Sequence, residues 1–199
     1  MRQDEILNLL ESTRAILKGH FLLSSGLHTD TYIQCARLLQ YPLLAERVGK
    51  SLAERFNDAG LETPPLVASP ALGGIIIGHE VARALGCRHI FIEKVNGTPT
   101  LRRGFTIAKD EEFLVVEDVV TTGRSTAEVI NVLKELGGFP VAVLAIIDRT
   151  SGREPKFGNI PFVALTKIDI DTFEPDNCPL CKKGIPLEKP GSRVFNENS

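Results

Sequence analysis

The sequence contains no tryptophan and a single methionine in 199 residues, and aromatic residues make up 6% of it. A Met-rich adaptable groove is excluded, and surfaces built from stacked rings are limited. Cysteine is sparse as well. The four residues, at 35, 87, 178 and 181, do not make the disulfide framework of a small secreted domain. No charge sign dominates: 23 Lys and Arg face 25 Asp and Glu, a formal net charge of -2, which argues against a whole-surface basic field for nucleic acid. The longest apolar runs, such as Val141–Ile147, fall far short of the ~20 residues of a membrane helix. The opening MRQDEILNLLESTR carries charges inside any apolar stretch and does not read as a secretory signal, so a cytoplasmic protein is expected. Walker A and G-x-G-x-x-G loops, H-E-x-x-H spacing and a Ser nucleophile elbow are all missing.

What is present is an ordinary globular composition, 43% apolar and 24% charged, in a chain long enough to bury roughly 70% of its unfolded surface. Ile6, Leu9, Leu10, Thr13, Ile16 and Leu17 recur at helical spacing and predict a helix over 4–17, capped by Asp4 and stopped by Gly19. Residues 20–41 read as irregular or extended. Pro42 opens a second helix to about Ala59, with Gly60 after it. Strands are expected at 66–69, 89–94, 113–118, 141–148 and 162–168, with helices at 75–85 and 126–136, and NGTP (96–99) reads as a turn. Short apolar strands alternating with helices imply an α/β fold with a mainly parallel sheet covered on both faces. Ligands of such sheets bind at the carboxyl ends of the strands, here residues 69–74, 93–103, 117–125 and 148–153.

One of these ends carries unusual chemistry. The apolar strand at 113–118 ends in Glu117 and Asp118. Val119 and Val120 follow, then Thr121, Thr122, Gly123, Arg124 and Ser125, just before a helix. Helix-terminal N–H groups and the helix dipole favour an anion, Gly123 lets backbone approach it, and the hydroxyls add donors. The two acids repel a bare phosphate but accept from sugar hydroxyls and favour positive charge on a sugar carbon. A ligand carrying both phosphate and vicinal hydroxyls, such as a ribose 5-phosphate, satisfies both halves.

The string VVEDVVTTGRS resembles the ribose-phosphate signature of type I phosphoribosyltransferases. Further segments, GHFLLSSGLHTDTYI (19–33), SPALGGIIIG (69–78), LRRGF (101–105) and CPLCKKGIPLEKPGSR (178–193), are similar to those of a shorter bacterial subgroup of orotate phosphoribosyltransferases. The resemblance implies one phosphoribosyltransferase domain over 1–199. Residues 1–40 form a small N-terminal hood beside the parallel core, and the tail from 173 forms peripheral elements. It implies a homodimer whose flexible loop crosses to the neighbour's site. It implies transfer of the phosphoribosyl group of 5-phosphoribosyl 1-diphosphate to orotate with Mg2+, the ion being carried by the substrate diphosphate rather than by a dedicated protein cage.

By the same resemblance Glu117 and Asp118 hold the ribose hydroxyls, Thr121 to Ser125 hold the 5′-phosphate, and Val119 and Val120 belong to the same phosphoribosyl diphosphate site. Ala71, Leu72 and Gly73 present backbone to the diphosphate. Lys94, Arg102 and Arg103 neutralise the leaving group, Thr121 approaches orotate, and Arg149 pairs with the orotate carboxylate. Guanidinium geometry suits a planar carboxylate. The chain departs from better-known members in three ways: the Lys-x-His loop is missing, Ser24 stands where those have a Lys, and Gly73 stands where they often have one. Arg102 and Arg103 are the expected replacements for this charge.

Cys178 and Cys181 form a C-x-x-C pair without a second pair at matching spacing, so the expected reading is a turn with packed thiols, with zinc requiring ligands from elsewhere. His20, His28, His79 and His89 are expected to be structural. Two other functions remain open at this level. One is phosphoribosyl transfer to a different base; the other is a non-catalytic sensor of phosphoribosyl diphosphate that binds nucleic acid, which the net charge and the lack of a spare domain disfavour.

Overall fold

The first residues set the main departure from these expectations. In the computed structural model, which describes residues 1–23 and 25–189, helix α1 spans Gln3–Ser12 and stops well before Leu17. Arg14 turns the chain with φ 54°, and the Ala15 N–H donates back to Leu10 O at 2.7 Å. Ile16 and Leu17 then open strand β1 (Ile16–Leu22), which pairs antiparallel with β2 (His28–Ile33). The helical spacing of Ile16 and Leu17 is coincidental, because cross-strand pairing satisfies their backbone instead. Asp4 is not the cap; the Arg2 N–H donates to Glu5 Oε2 at 2.8 Å. Gly19 lies inside β1, where an added Cβ would meet the Phe21 ring. The segment 20–41 is thus a hairpin followed by the short helix α2 (Ala36–Leu39).

Beyond this point expectation and structure agree closely except at 98–101, where the expected turn is shorter and an unexpected strand pairs back on its neighbour. Helix α3 (Pro42–Asp58) starts on a proline whose fixed φ and missing N–H suit the first turn. Next come β3 (Leu66–Pro70), α4 (Gly73–Leu85), β4 (Arg88–Val95), β5 (Thr98–Leu101), β6 (Glu112–Val120), α5 (Arg124–Glu135), β7 (Phe139–Asp148) and β8 (Phe162–Lys167). Gly86 ends α4 in the left-handed conformation, φ 73°. The strands form one sheet in the order β5-β4-β3-β6-β7-β8, parallel throughout except for β4–β5. Val95 pairs with Thr98, so Asn96 and Gly97, with φ 50° and 82°, make a two-residue hairpin loop of the type that needs φ > 0 at both positions.

Alternate strand residues feed two cores. Val67, Leu114, Val116 and Leu144 pack with Ile6, Leu10, Val48, Leu52, Ile77 and Val81, the faces of α1, α3 and α4. Leu66, Ala68, Phe113, Val115 and Val143 pack with Val129, Ile130 and Leu133 of α5. The sheet is therefore covered on both faces, which is why its central strands are nearly continuous apolar runs. Both crossovers, β3-α4-β4 and β6-α5-β7, leave the carboxyl ends of β3, β4, β6 and β7 at one edge of the sheet.

The tail is not loose. Strand β9 (Thr172–Phe173) pairs with β2, and a bridge joins Phe21 to Glu188, so chain ends of very different sequence position share one small sheet of order β1-β2-β9. The four-residue helix α6 (Pro179–Lys182) lies between these two contacts. No helix among the described residues is long and apolar enough to cross a membrane.

Candidate active site

β6 delivers Glu117 and Asp118 to the edge of the sheet. Glu117 is 7% exposed, and neither carboxylate has an ion-pair partner among the described residues. Glu117 Oε1 accepts the Asp118 N–H at 3.2 Å, and Asp118 Oδ1 accepts the Val119 N–H at 2.9 Å. Burial pushes both acids above the usual carboxylate range, Glu117 well above it with the Asp118 charge adding to the effect. Such carboxylates gain from hydroxyl donors and from developing positive charge.

Residues Thr121–Ser125 form the turn into α5. Gly123 precedes the helix with φ 70°, and a Cβ there would stand 2.9 Å from the Phe157 ring and 3.1 Å from Lys156 N. The opposing backbone is tied to the turn by the Lys156 N–H to Thr122 O bond at 3.0 Å. Glu117, Val119, Val120 and the turn through Thr126 line a hollow open to solvent. The first N–H groups of α5 have no intrahelical acceptor, and the dipole favours an anion there. The Glu117 carboxyl and anion-seeking backbone thus share one cavity.

The turn after β3 packs against the acids. A Cβ on Gly73 would lie 2.8 Å from Asp118 Oδ1, and one on Gly74 would lie 2.9 Å from Val116 O. The preceding Ala71–Leu72 peptide is cis, Leu72 is 83% exposed, and the Ala71 N–H donates to Ile92 O at 2.8 Å. Lys94 lines a smaller hollow with Pro70, Ala71 and Ser125, which joins this turn to the start of α5. Its Nζ lies 2.7 Å from Glu128 Oε2, and Arg124 Nε lies 3.1 Å from the other oxygen of the same carboxylate.

Arg102 and Arg103 are placed differently. They reach Glu93 at 3.6 and 2.9 Å, and Arg103 sits over the Phe91 ring at 5.6 Å. Phe91 and Glu93 alternate with Lys94 along β4, so the two arginines are held on the strand face opposite to Lys94. The structure brings Lys94 together with Ala71 and Ser125, and does not bring Arg102 and Arg103 there.

Arg149 follows β7, its N–H donating to Val120 O at 2.8 Å. Its Nε is buried without a partner, and burial lowers its pKa. Tyr32, at the end of β2, senses both charges: its pKa is raised by burial and by Asp118, and lowered by Arg149. The small sheet therefore contributes a phenol to the same space as Asp118 and Arg149.

A family model described as the phosphoribosyl transferase domain matches residues 34–174. The chain belongs to this family. Over 193 residues it is 49% identical to the orotate phosphoribosyltransferase of Caldanaerobacter subterraneus subsp. tengcongensis, covering 97% of this chain and 99% of that one. It is 50% identical over 188 residues to the orotate phosphoribosyltransferase of Thermotoga maritima, covering 94% and 98%. Among solved structures, the orotate phosphoribosyltransferase from Aeropyrum pernix aligns with TM-score 0.68 and 26% identity over 82% of this chain and 93% of that one. The adenine phosphoribosyltransferase from Thermoanaerobacter pseudethanolicus aligns with TM-score 0.60 and 17% identity over 69% and 88%, a likeness of fold alone.

Within this phosphoribosyltransferase frame, sequence reasoning missed two site residues. Tyr32 carries a weak signal, an aromatic near the end of a segment that reads as irregular, and only the β1–β2 pairing sets its place. Glu128 had a clearer one, since it stands four residues after Arg124 on one helix face. Ser24 lies outside the described residues, so its expected loss of charge has no structural counterpart here.

Proposed function

We propose that the chain transfers the phosphoribosyl group of 5-phosphoribosyl 1-diphosphate to orotate, giving orotidine 5′-monophosphate and diphosphate. The observation that carries this reading is Arg149, a half-buried arginine at the end of β7 whose Nε is buried and unpartnered and whose charge reaches Tyr32. A purine offers it only neutral acceptors, whereas a base bearing a carboxylate supplies a charge-assisted, fork-shaped partner.

In this reading the turn from Val119 to Ser125 holds the 5′-phosphate, while Glu117 and Asp118 accept from the ribose hydroxyls. The backbone of Ala71, Leu72 and Gly73, with Lys94, takes the diphosphate. Arg149 and Thr121 orient orotate, and Tyr32 closes the hood side of the base. As the C1′–O bond to diphosphate breaks and the bond to the ring nitrogen forms, positive charge at C1′ is stabilised by the carboxylate of Asp118. The residues fit Mg2+: Glu117 and Asp118 are hard oxygen donors free of competing cations among the described residues, and the diphosphate itself would hold the ion. When bound, Mg2+ supplies neutralisation of the leaving diphosphate.

The arginines on the far face of β4 fit a homodimer in which the loop starting at Arg102 serves the neighbour's site. The protein then works as a cytoplasmic enzyme on two small substrates, without nucleic acid or membrane.

The test is turnover with 5-phosphoribosyl 1-diphosphate and Mg2+ over orotate, uracil, adenine and hypoxanthine, followed by loss of base absorbance. Orotate is expected to be consumed and the others not. Arg149→Ala should raise the KM for orotate on the order of 100-fold with little change in that for the diphosphate substrate. Consumption of adenine in place of orotate, or an unchanged KM, overturns the reading.

A further inference from the structure

Away from the phosphate turn, the small sheet gathers four side chains that the reaction does not use. His20 on β1 and His28 on β2 lie with His20 Nε2 2.9 Å from His28 Nδ1. Cys178 Sγ stands 3.5 Å from His20 Nε2, and Cys181 Sγ stands 3.8 Å from that atom and 3.4 Å from His28 Nδ1. One donor atom from each of the four lies within 4.8 Å of all the others. Tetrahedral zinc with bonds of about 2.0–2.1 Å to nitrogen and about 2.3 Å to sulfur has N···S edges of about 3.5 Å and N···N edges of about 3.3 Å. The N···S distances straddle that value, and the nitrogens need only part by a few tenths of an ångström.

Three further observations point the same way. His20, His28 and Cys178 are buried, with Cys181 at the rim, so the donors converge inside the protein. The other ring nitrogen of His20 lies 2.8 Å from Ile185 O, an arrangement in which Nδ1–H donates and the Nε2 lone pair faces the cluster. The described tail also buries little side-chain surface beyond its backbone pairing. From Thr172 to Lys189, Cys178 is the one buried side chain, yet the segment follows a defined path, with Leu22 N–H to Glu188 O and Glu188 N–H to His20 O bonds of 2.8 Å each. A segment that buries so little apolar surface gains further order from a metal held by its own side chains.

We propose that His20, His28, Cys178 and Cys181 form a structural zinc site that fastens the tail to the β1–β2 hairpin. All four ligands come from the chain, which leaves no open position for substrate and marks the site as structural. Zinc displaces the two thiol protons, the two thiolates balance its charge, and the buried centre is neutral. C-x-x-C alone did not announce this, because its partner pair is two histidines some 150 residues earlier that only the hairpin brings together.

The experiment uses the full chain, purified under reducing conditions without added metal and passed through a desalting column. Plasma mass spectrometry is expected to find about one zinc per chain. Exchange into cobalt(II) should give the visible bands of a tetrahedral thiolate site, and Cys178→Ser with Cys181→Ser should abolish both zinc and bands. Chelator treatment should lower the melting temperature of the wild type and leave that of the double variant unchanged. Should the double variant not fold, Cys181→Ser alone changes one exposed ligand and must still weaken the cobalt charge-transfer band. Zinc-free folded wild type without tetrahedral cobalt bands, a Cys178–Cys181 disulfide in the reduced preparation, iron in place of zinc, or stoichiometric zinc in the double variant each overturns the assignment. Excess Mg2+ should not displace the metal, which separates this site from the substrate-borne ion.

Discussion

Glu117 and Asp118 are poised against the stability of the free protein. Each is a buried carboxylate without a cation, so replacing either with its amide should stabilise the unliganded chain while removing its use to the reaction. Asp118→Asn is expected to raise the melting temperature by about 2–4 °C, the equivalent of about 1 kcal/mol in a chain of this size. It should also lower kcat/KM on the order of 100-fold. Calorimetry and steady-state kinetics on the same preparation check both. His89 acts in the opposite sense. Burial, and then the charge of His79, lower its pKa to about 4, and its Nε2 pairs with Ser69 Oγ at 3.0 Å. The unfolded imidazole binds its proton near 6.5, so His89 withdraws stability as pH falls from about 6.5 to 4, by at most ~3 kcal/mol. The raised acids take up protons first in the folded state and so offset part of that loss. Thermal melts of His89→Gln across this range should fall less steeply than those of the wild type. The acids, the hydroxyl turn and Arg149 were legible in the sequence because their residue types state their chemistry. The partnerless state of Arg149 Nε was not, since it depends on what fails to come near.

At the scale of the element, the phosphate turn depends on one backbone conformation. Gly123→Ala forces an L-residue to φ 70° and presses a methyl group against Phe157 and the Lys156 backbone. A cost of about 1–2 kcal/mol in stability is expected, and a larger effect on the KM for the phosphoribosyl substrate than for orotate. Equal changes in both values would show that the turn does not hold the 5′-phosphate. Elements whose apolar pattern is driven by burial on two faces, such as β6 and β7, could be read from sequence. The hairpin β1–β2 could not, because its strands carry His20, Thr29 and Thr31 in buried positions and owe their existence to pairing rather than to an apolar run.

For the whole molecule, the question is which chain supplies the loop cations. If Arg102 and Arg103 serve the neighbour, Arg102→Ala/Arg103→Ala and Asp118→Asn should each be nearly inactive alone. Mixed and allowed to exchange subunits, they should recover about one quarter of wild-type activity, since half the dimers are hybrid and each hybrid has one intact site of two. No recovery despite exchange, shown by native mass spectrometry, would place the loop in its own site. The grasp of Glu93 on both arginines was invisible in the sequence, as was the alternation that sets them apart from Lys94.

The pairing of β2 with β9, and of Phe21 with Glu188, also has a consequence in time. A ribosome finishes the parallel core at β8 before it releases β9, the strand that adds to the first hairpin. The hairpin must therefore wait, half-paired, through the synthesis of the whole core. Release between β8 and β9 would leave the parallel core and its phosphate turn complete beneath a hood that has no third strand.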